Sequence, residues 1–174
     1  MKTYVLSIGL ILFTVMACQS PKEKALKDID TLEASDTSFS VENSAKLKDA
    51  YLDFANKYPD DINAPEFLFK AGQRMSVLAS ENNNAEYHKE SIAIFEKICK
   101  TYPENHFAEE AMFLSAYVYE NSLKDTDKAR MRYESFIDKY PNSELKEDAE
   151  LAIKNLGIDP AEVIRKAQEA NQAP

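Results

Sequence analysis

Residues 44–59, SAKLKDAYLDFANKYP, return in altered form as residues 88–103, HKESIAIFEKICKTYP, and again as residues 126–141, TDKARMRYESFIDKYP. Eight places before the prolines Pro59, Pro103 and Pro141 stand Tyr51, Phe95 and Tyr133. Five places before them stand Phe54, Ile98 and Phe136, and four before, Ala55, Cys99 and Ile137. Those offsets put the bulky residues on one stripe of a helix. Each proline stops its helix, because it has no N–H and disfavours helical backbone in the residue before it.

A second pattern follows each proline. Ala64 and Ala108 match at plus five, Leu68 and Met112 at plus nine, Phe69, Phe113 and Leu151 at plus ten, and Gly72 and Ala116 at plus thirteen. The repeating unit is therefore a two-helix hairpin. The prolines are 44 and 38 residues apart, and the insertion Ser80-Glu81-Asn82-Asn83-Asn84 accounts for the difference. The pattern predicts helices over 43–58, 64–80, 85–102, 106–123, 126–140, 144–156 and 160–171. Leu156-Gly157 then Asp159-Pro160 reads as a helix stop followed by a capped start. Val163, Ile164 and Ala167 are expected to cover the open end of the stack.

Composition agrees with an all-α chain. Only 3 Gly and 7 Pro occur in 174 residues, and there is no Trp. Net charge is −9, with acids and bases mixed along every segment. No basic patch exists to displace phosphate counterions, so nucleic acid is excluded as a partner.

The first residues set the expected compartment. Met1-Lys2 gives a positive start, and Tyr4 to Ala17, YVLSIGLILFTVMA, carries no charge. The run reads as a signal peptide over residues 1–17, shorter than the ~20 residues that span a bilayer. Val15-Met16-Ala17-Cys18 resembles the lipobox of bacterial lipoproteins. The resemblance implies cleavage before Cys18 and acylation there, with palmitate-type chains as a membrane anchor. Gln19 in place of Asp implies the outer membrane, facing the periplasm. Residues 18–44 are polar and mixed in charge, and read mainly as a lipidated flexible tether, although Leu26, Ile29 and Leu32 are spaced for a short helix. Residues 45–171 form the expected repeat domain.

The small pair Gly72 and Ala116, the late aromatics Tyr51, Phe95 and Tyr133, Tyr119, Ala129 and the closing prolines resemble tetratricopeptide repeats. No Trp opens a repeat, Met75 replaces one first-helix aromatic, and Ser91 stands where Ala129 does. The text aromatic-x-x-[Phe/Ile]-x-x-x-Tyr-Pro is similar to the envelope branch of that family, which includes the lipoprotein of outer-membrane β-barrel assembly and the coordinator associated with Tol–Pal. The resemblance implies a right-handed superhelix of antiparallel hairpins with a C-terminal capping helix, and a non-enzymatic scaffold for protein–protein contacts in the envelope, in either outer-membrane protein assembly or division coordination.

Family geometry implies that the first helix of each pair lines a partner groove. Carried over by position, that selects Glu66, Phe69 and Gln73 in one unit and Glu110, Phe113, Tyr117, Glu120 and Asn121 in the next. Asp148 and Asn155 follow beyond them. The aromatics are expected as anchors, or equally as core, and the acids as selectors of a basic or amide-rich segment of another envelope protein.

Chemistry is sparse. His88 and His106 have no His-Glu-x-x-His or paired Cys-x-x-Cys around them, so no zinc site is expected. Asp125-Thr126-Asp127 reads as a helix cap. Cys99 is expected to be a buried, inert thiol. No cofactor and no catalytic residue is expected. Two other classes stand beside the scaffold: a helical glycan-binding surface lipoprotein, disfavoured by the absence of Trp, and a wall-acting enzyme, which requires close carboxylates with a perturbed pKa.

Overall fold

Each Tyr-Pro step makes the same turn three times. In a computed structural model describing residues 19–36 and 40–172, Tyr58, Tyr102 and Tyr140 share φ −129°, −130° and −122° with ψ 60°, 56° and 63°. Their N–H groups close the last helical bonds on Phe54, Ile98 and Phe136. Two residues past each proline, Asp61, Asn105 and Ser143 donate N–H groups back to the tyrosine carbonyls at 3.0 Å. The side chains of the same three residues accept from the N–H groups of Asn63, Phe107 and Leu145 at 3.0 Å. A short polar side chain that mimics a backbone turn thus restarts the chain after every proline.

The described residues form eight helices and no strand: α1 Pro21–Ser35, α2 Val41–Lys57, α3 Ala64–Glu81, α4 Ala85–Thr101, α5 His106–Asn121, α6 Thr126–Lys139, α7 Lys146–Asn155 and α8 Pro160–Gln172. Consecutive helices from α1 to α7 pack on each other, and α3 also meets α5. The result is an all-helical array of hairpins of the tetratricopeptide type. Seven of the helices lie within two residues of the spans read from the sequence. Asp125 caps α6 through the Lys128 N–H at 3.1 Å, and Asp159 accepts from Ala161 at 2.8 Å where α8 opens with Pro160. Gly157 sits at φ +78°, the left-handed stop after α7 that glycine takes without strain.

The core is three successive clusters. The first joins Ile29 of α1 to Tyr51 and Phe54 of α2 and to Phe67 and Met75 of α3. The second joins Ala55, Leu68 and Phe69 to Phe95 and Ile98 of α4 and Ala108 of α5. The third holds Ala116, Ala129, Tyr133, Phe136 and Ala149. Each hairpin is buried only by its neighbours, the arrangement of a repeat protein. Helices α3 and α4 approach closely at Gly72, where an added Cβ would lie 2.5 Å from the Phe95 ring.

Helix α1 corrects the tether reading of residues 18–44. Ser20 accepts from the Glu23 N–H at 3.2 Å while Glu23 accepts from the Ser20 N–H at 2.8 Å, a capping box with Pro21 at the first turn. Ile29 is buried, with Ala25, Leu26 and Leu32 against the first cluster. Polar contacts fix the docking: Tyr51 to Glu33 at 2.6 Å, Lys70 to Glu33 at 2.9 Å, Lys22 to Asp61 at 2.9 Å and Arg74 to Asp36 at 2.6 Å. Helix α1 is thereby the first helix of the hairpin that ends at Pro59. Between Cys18 and the capping Ser20 stands Gln19 alone.

The expected cover of the open end is also revised. Ile164 is 59% exposed, Val163 half-buried, and the Ala167 side chain lies outside the description. The signal peptide over residues 1–17 and the lipidation at Cys18 fall on residues that the structure does not describe.

Candidate partner-binding groove

Two confluent hollows run along the face where α3 and α5 lie side by side. The larger, about 500 Å³, has an apolar floor of Phe69, Phe113, Leu114 and Leu145. Its polar margin is Gln73, His106, Glu109, Glu110 and Glu144, with no lysine or arginine. The smaller, about 280 Å³, shares Gln73 and Leu114 with it and continues past Ser76, Phe95, Tyr117 and Val118 to Ser80, His88 and Ser122.

Helical spacing explains the assembly. His106, Glu110, Phe113 and Tyr117 recur every three or four residues on α5, so they share one face. Phe69, Gln73, Ser76 and Ser80 do the same on α3. Glu144 and Leu145 arrive from the turn before α7, placed by the Ser143 side chain, whose hydroxyl also donates to Glu109. Glu110 and Glu144 make no ion pair among the described residues. Two unneutralised carboxylates over an apolar floor favour a cation attached to an apolar chain.

Of the ten positions expected on this surface, Phe69, Gln73, Glu110, Phe113 and Tyr117 meet in the two hollows. Phe69 is largely core, 6% exposed and tilted against Phe107 at 5.1 Å. Phe113 is half-buried against Tyr133 and Phe136 at 5.5 and 5.6 Å. The other five do not line the groove. Glu66 is paired with Lys70 at 2.8 Å, and Glu120 accepts the Tyr133 hydroxyl at 2.8 Å. Asn121 donates to the Tyr117 carbonyl at 3.3 Å, closing α5. Asp148 is exposed and Asn155 half-buried on α7, which packs on α6, while the groove is reached by Glu144 and Leu145 from the turn before it.

His106, Glu109 and Leu114 were legible as the extension of the α5 stripe. His88 was not. It is 9% exposed at the start of α4, its Nδ1 is buried without a hydrogen-bond partner, and burial pushes its pKa below the ordinary imidazole value. Cys99 is half-buried, its thiol donating to the Ala108 carbonyl at 3.3 Å, and burial pushes its pKa up. Tyr102 donates its hydroxyl to the Pro59 carbonyl at 2.7 Å and so fastens one hairpin to the preceding one. Among the described residues no group of three or more His, Cys, Asp or Glu side chains is placed to hold a metal ion, and no helix is long and apolar enough to cross a membrane.

One family model, a tetratricopeptide repeat, matches residues 110–143. That stretch covers most of α5, all of α6 and the Tyr140-Pro141 turn. Repeats of this class are modules of protein–protein interaction, and no catalytic family matches. No curated protein and no solved structure matches the chain significantly.

Proposed function

We propose that this chain is a non-enzymatic scaffold, anchored at the periplasmic face of the outer membrane through a lipid on Cys18, whose α3–α5 groove holds a basic, apolar-bearing segment of another envelope protein. The observation that carries the binding half is the pair of unneutralised carboxylates, Glu110 and Glu144, above the floor of Phe113, Leu114 and Leu145. Apolar contact supplies most of the affinity on such a surface, while the acids steer encounter and reject acidic partners.

In-cell photo-cross-linking from Tyr117 and Gln73 is expected to trap a discrete partner. Its identity separates outer-membrane protein assembly from division coordination. The double charge reversal Glu110→Lys, Glu144→Lys is expected to lower capture about tenfold, since it sets like charges against a basic segment. An unchanged set of cross-linked proteins and yields would remove this surface from consideration.

The anchor rests on Val15-Met16-Ala17-Cys18. Cys18→Ser is expected to abolish radiolabelled palmitate incorporation and to shift the protein from the membrane pellet to the soluble fraction. Several acyl chains at about 0.8 kcal/mol per buried methylene make the wild-type attachment effectively permanent. Equal pelleting of both forms, with no label in either, would refute the lipid. Helix α1 begins directly after the anchor, so this reading holds the folded body near the bilayer surface.

A further inference from the structure

The first of the three Tyr-Pro turns differs from the others at one position. Three residues past the proline the second and third turns carry His106 and Glu144, whereas the first carries Ile62. Ile62 is 89% exposed, against 65% for Met131, the next most exposed large apolar side chain among the described residues. An isolated apolar side chain on a surface is common and carries no meaning by itself. The neighbours of Ile62 supply one. Asp61, the residue before it, accepts from the Lys22 ammonium at 2.9 Å, and Lys22 is the second residue of α1. The turn therefore lies at the end of the stack where α1 begins.

Cys18 stands four residues before Lys22. At no more than about 3.4 Å per residue, the backbone keeps the two within about 14 Å of each other. Acyl chains on Cys18 would lie in the bilayer, and the Lys22–Asp61 pair holds the first turn at the same end of the array. Resting on the lipid-anchor reading above, we propose that this edge of the array is seated on the bilayer, with Ile62 inserted among the lipid headgroups. The lipid supplies the attachment and keeps the membrane at high effective concentration beside the turn, so one apolar side chain suffices to choose which face is seated.

The charges beside Ile62 select the kind of surface. Ile62 borders a shallow hollow lined by Lys22 and Lys57 and by Asp60 and Asp61, two bases and two acids. Lys22 and Lys57 pair with Asp61 and Asp53 while their side chains stay 47% and 62% exposed. Asp60 is exposed and makes no ion pair among the described residues. A balanced patch of this kind gains little from the negative potential that draws polybasic segments to anionic lipid. It suits zwitterionic headgroups, whose phosphate meets the lysines and whose ammonium group meets Asp60. Leu151 on α7 and Ile164 on α8, exposed as well, belong to the opposite end of the succession of helices and serve as references.

The test places the full lipidated chain, isotope-labelled at isoleucine and leucine methyls, in phosphatidylcholine nanodiscs and adds a phosphatidylcholine that is spin-labelled near its headgroup. The Ile62 methyl signals are expected to weaken about twofold or more, as a side chain held at headgroup depth must, while those of Leu151 and Ile164 keep their intensity. Ile62→Asp, a change at an almost fully exposed side chain, is expected to leave the chain folded and anchored and to relieve the broadening of the neighbouring Asn63 amide. Wild-type Ile62 broadened no more than Leu151 and Ile164 overturns the seating without requiring that any variant fold. Photo-cross-links from position 62 to a protein and not to lipid overturn it too. The outcomes separate from those of the anchor: palmitate on Cys18 with no selective broadening of Ile62 keeps the anchor and rejects the seating, whereas a wild type without palmitate rejects both.

Discussion

Phe95→Ala is expected to destabilise the fold by about 3–5 kcal/mol, the cost of deleting a fully buried aromatic ring. Phe95 is 1% exposed. Its ring lies over the bare backbone of Gly72, so close that a Cβ there would stand 2.5 Å away, and it faces Phe69 at 6.0 Å. The helix crossing fixes Gly72 and Phe95 in place, so the neighbours have little freedom to collapse into the space left behind. Because Phe95 belongs to the cluster that joins the second hairpin to the third, its loss acts on the interface that holds the repeats together. Urea unfolding followed by far-UV circular dichroism should show a lower midpoint with an unchanged slope. For a protein of ordinary stability, about 5–15 kcal/mol, the loss is a large fraction of the whole. A change below about 1 kcal/mol would mean that the ring is not enclosed as described.

The second large effect is expected at Asp36. Its carboxylate side chain is 1% exposed and lies 2.6 Å from the Arg74 guanidinium, itself 11% exposed. Asp36 follows the last residue of α1, and Arg74 is in the middle of α3, so the pair fastens the end of the first helix to the third. Asp36→Ala takes from a buried guanidinium its ion-pair carboxylate and leaves it the Tyr51 hydroxyl and the field of Glu33. Breaking one side of a buried pair typically costs up to about 3–5 kcal/mol, because the remaining charge keeps its desolvation penalty; with Tyr51 and Glu33 still beside Arg74, the expected loss is about 2–3 kcal/mol. Hydrogen exchange should localise the damage: amides of α1 are expected to lose protection first, since the Lys70–Glu33 and Tyr51–Glu33 contacts lie on the same helix. Glu33 itself is pushed up by partial burial and pulled down more by the hydrogen bonds from Tyr51 and Lys70, ending below the ordinary carboxylate value. Unchanged stability together with unchanged α1 protection would refute the docking of that helix.

These two residues illustrate where sequence reading reached and where it stopped. Phe95 and Gly72 were legible, because they recur at fixed distances from a proline, and the period of the repeat requires a bulky residue opposite a small one. Asp36 was not legible. Within α1 the apolar positions Ala25, Leu26, Ile29 and Leu32 make a narrow stripe between charged residues, and local composition resembles a solvated linker. The helix is held by Asp61, Lys70 and Arg74, partners 37 to 39 residues away from Lys22, Glu33 and Asp36. No local window contains such information.

The groove divides in the same way. Phe69, Gln73, Glu110, Phe113 and Tyr117 followed from knowing which helix of each pair faces inward, since one face of a helix is fixed by its 3.6-residue period. Glu66 and Glu120 share that helix face in the sequence, yet Lys70 and the Tyr133 hydroxyl engage them. Glu144, Leu145 and His88 reach the hollows from a turn and from a second helix, and no periodicity connects them to α3 or α5.

By itself the sequence determined the repeat: where each helix stops, which residues face inward, and that the chain is an all-α array of hairpins. Backbone stereochemistry at proline and the helical period are local properties, and a local text is enough to express them. Only the tertiary structure decided that the first hairpin includes residues 21–35 and that half of the expected acids are already engaged. Those outcomes depend on which charges and hydroxyls meet across distances of 13 to 39 residues, and packing settles such meetings only when the whole stack is assembled.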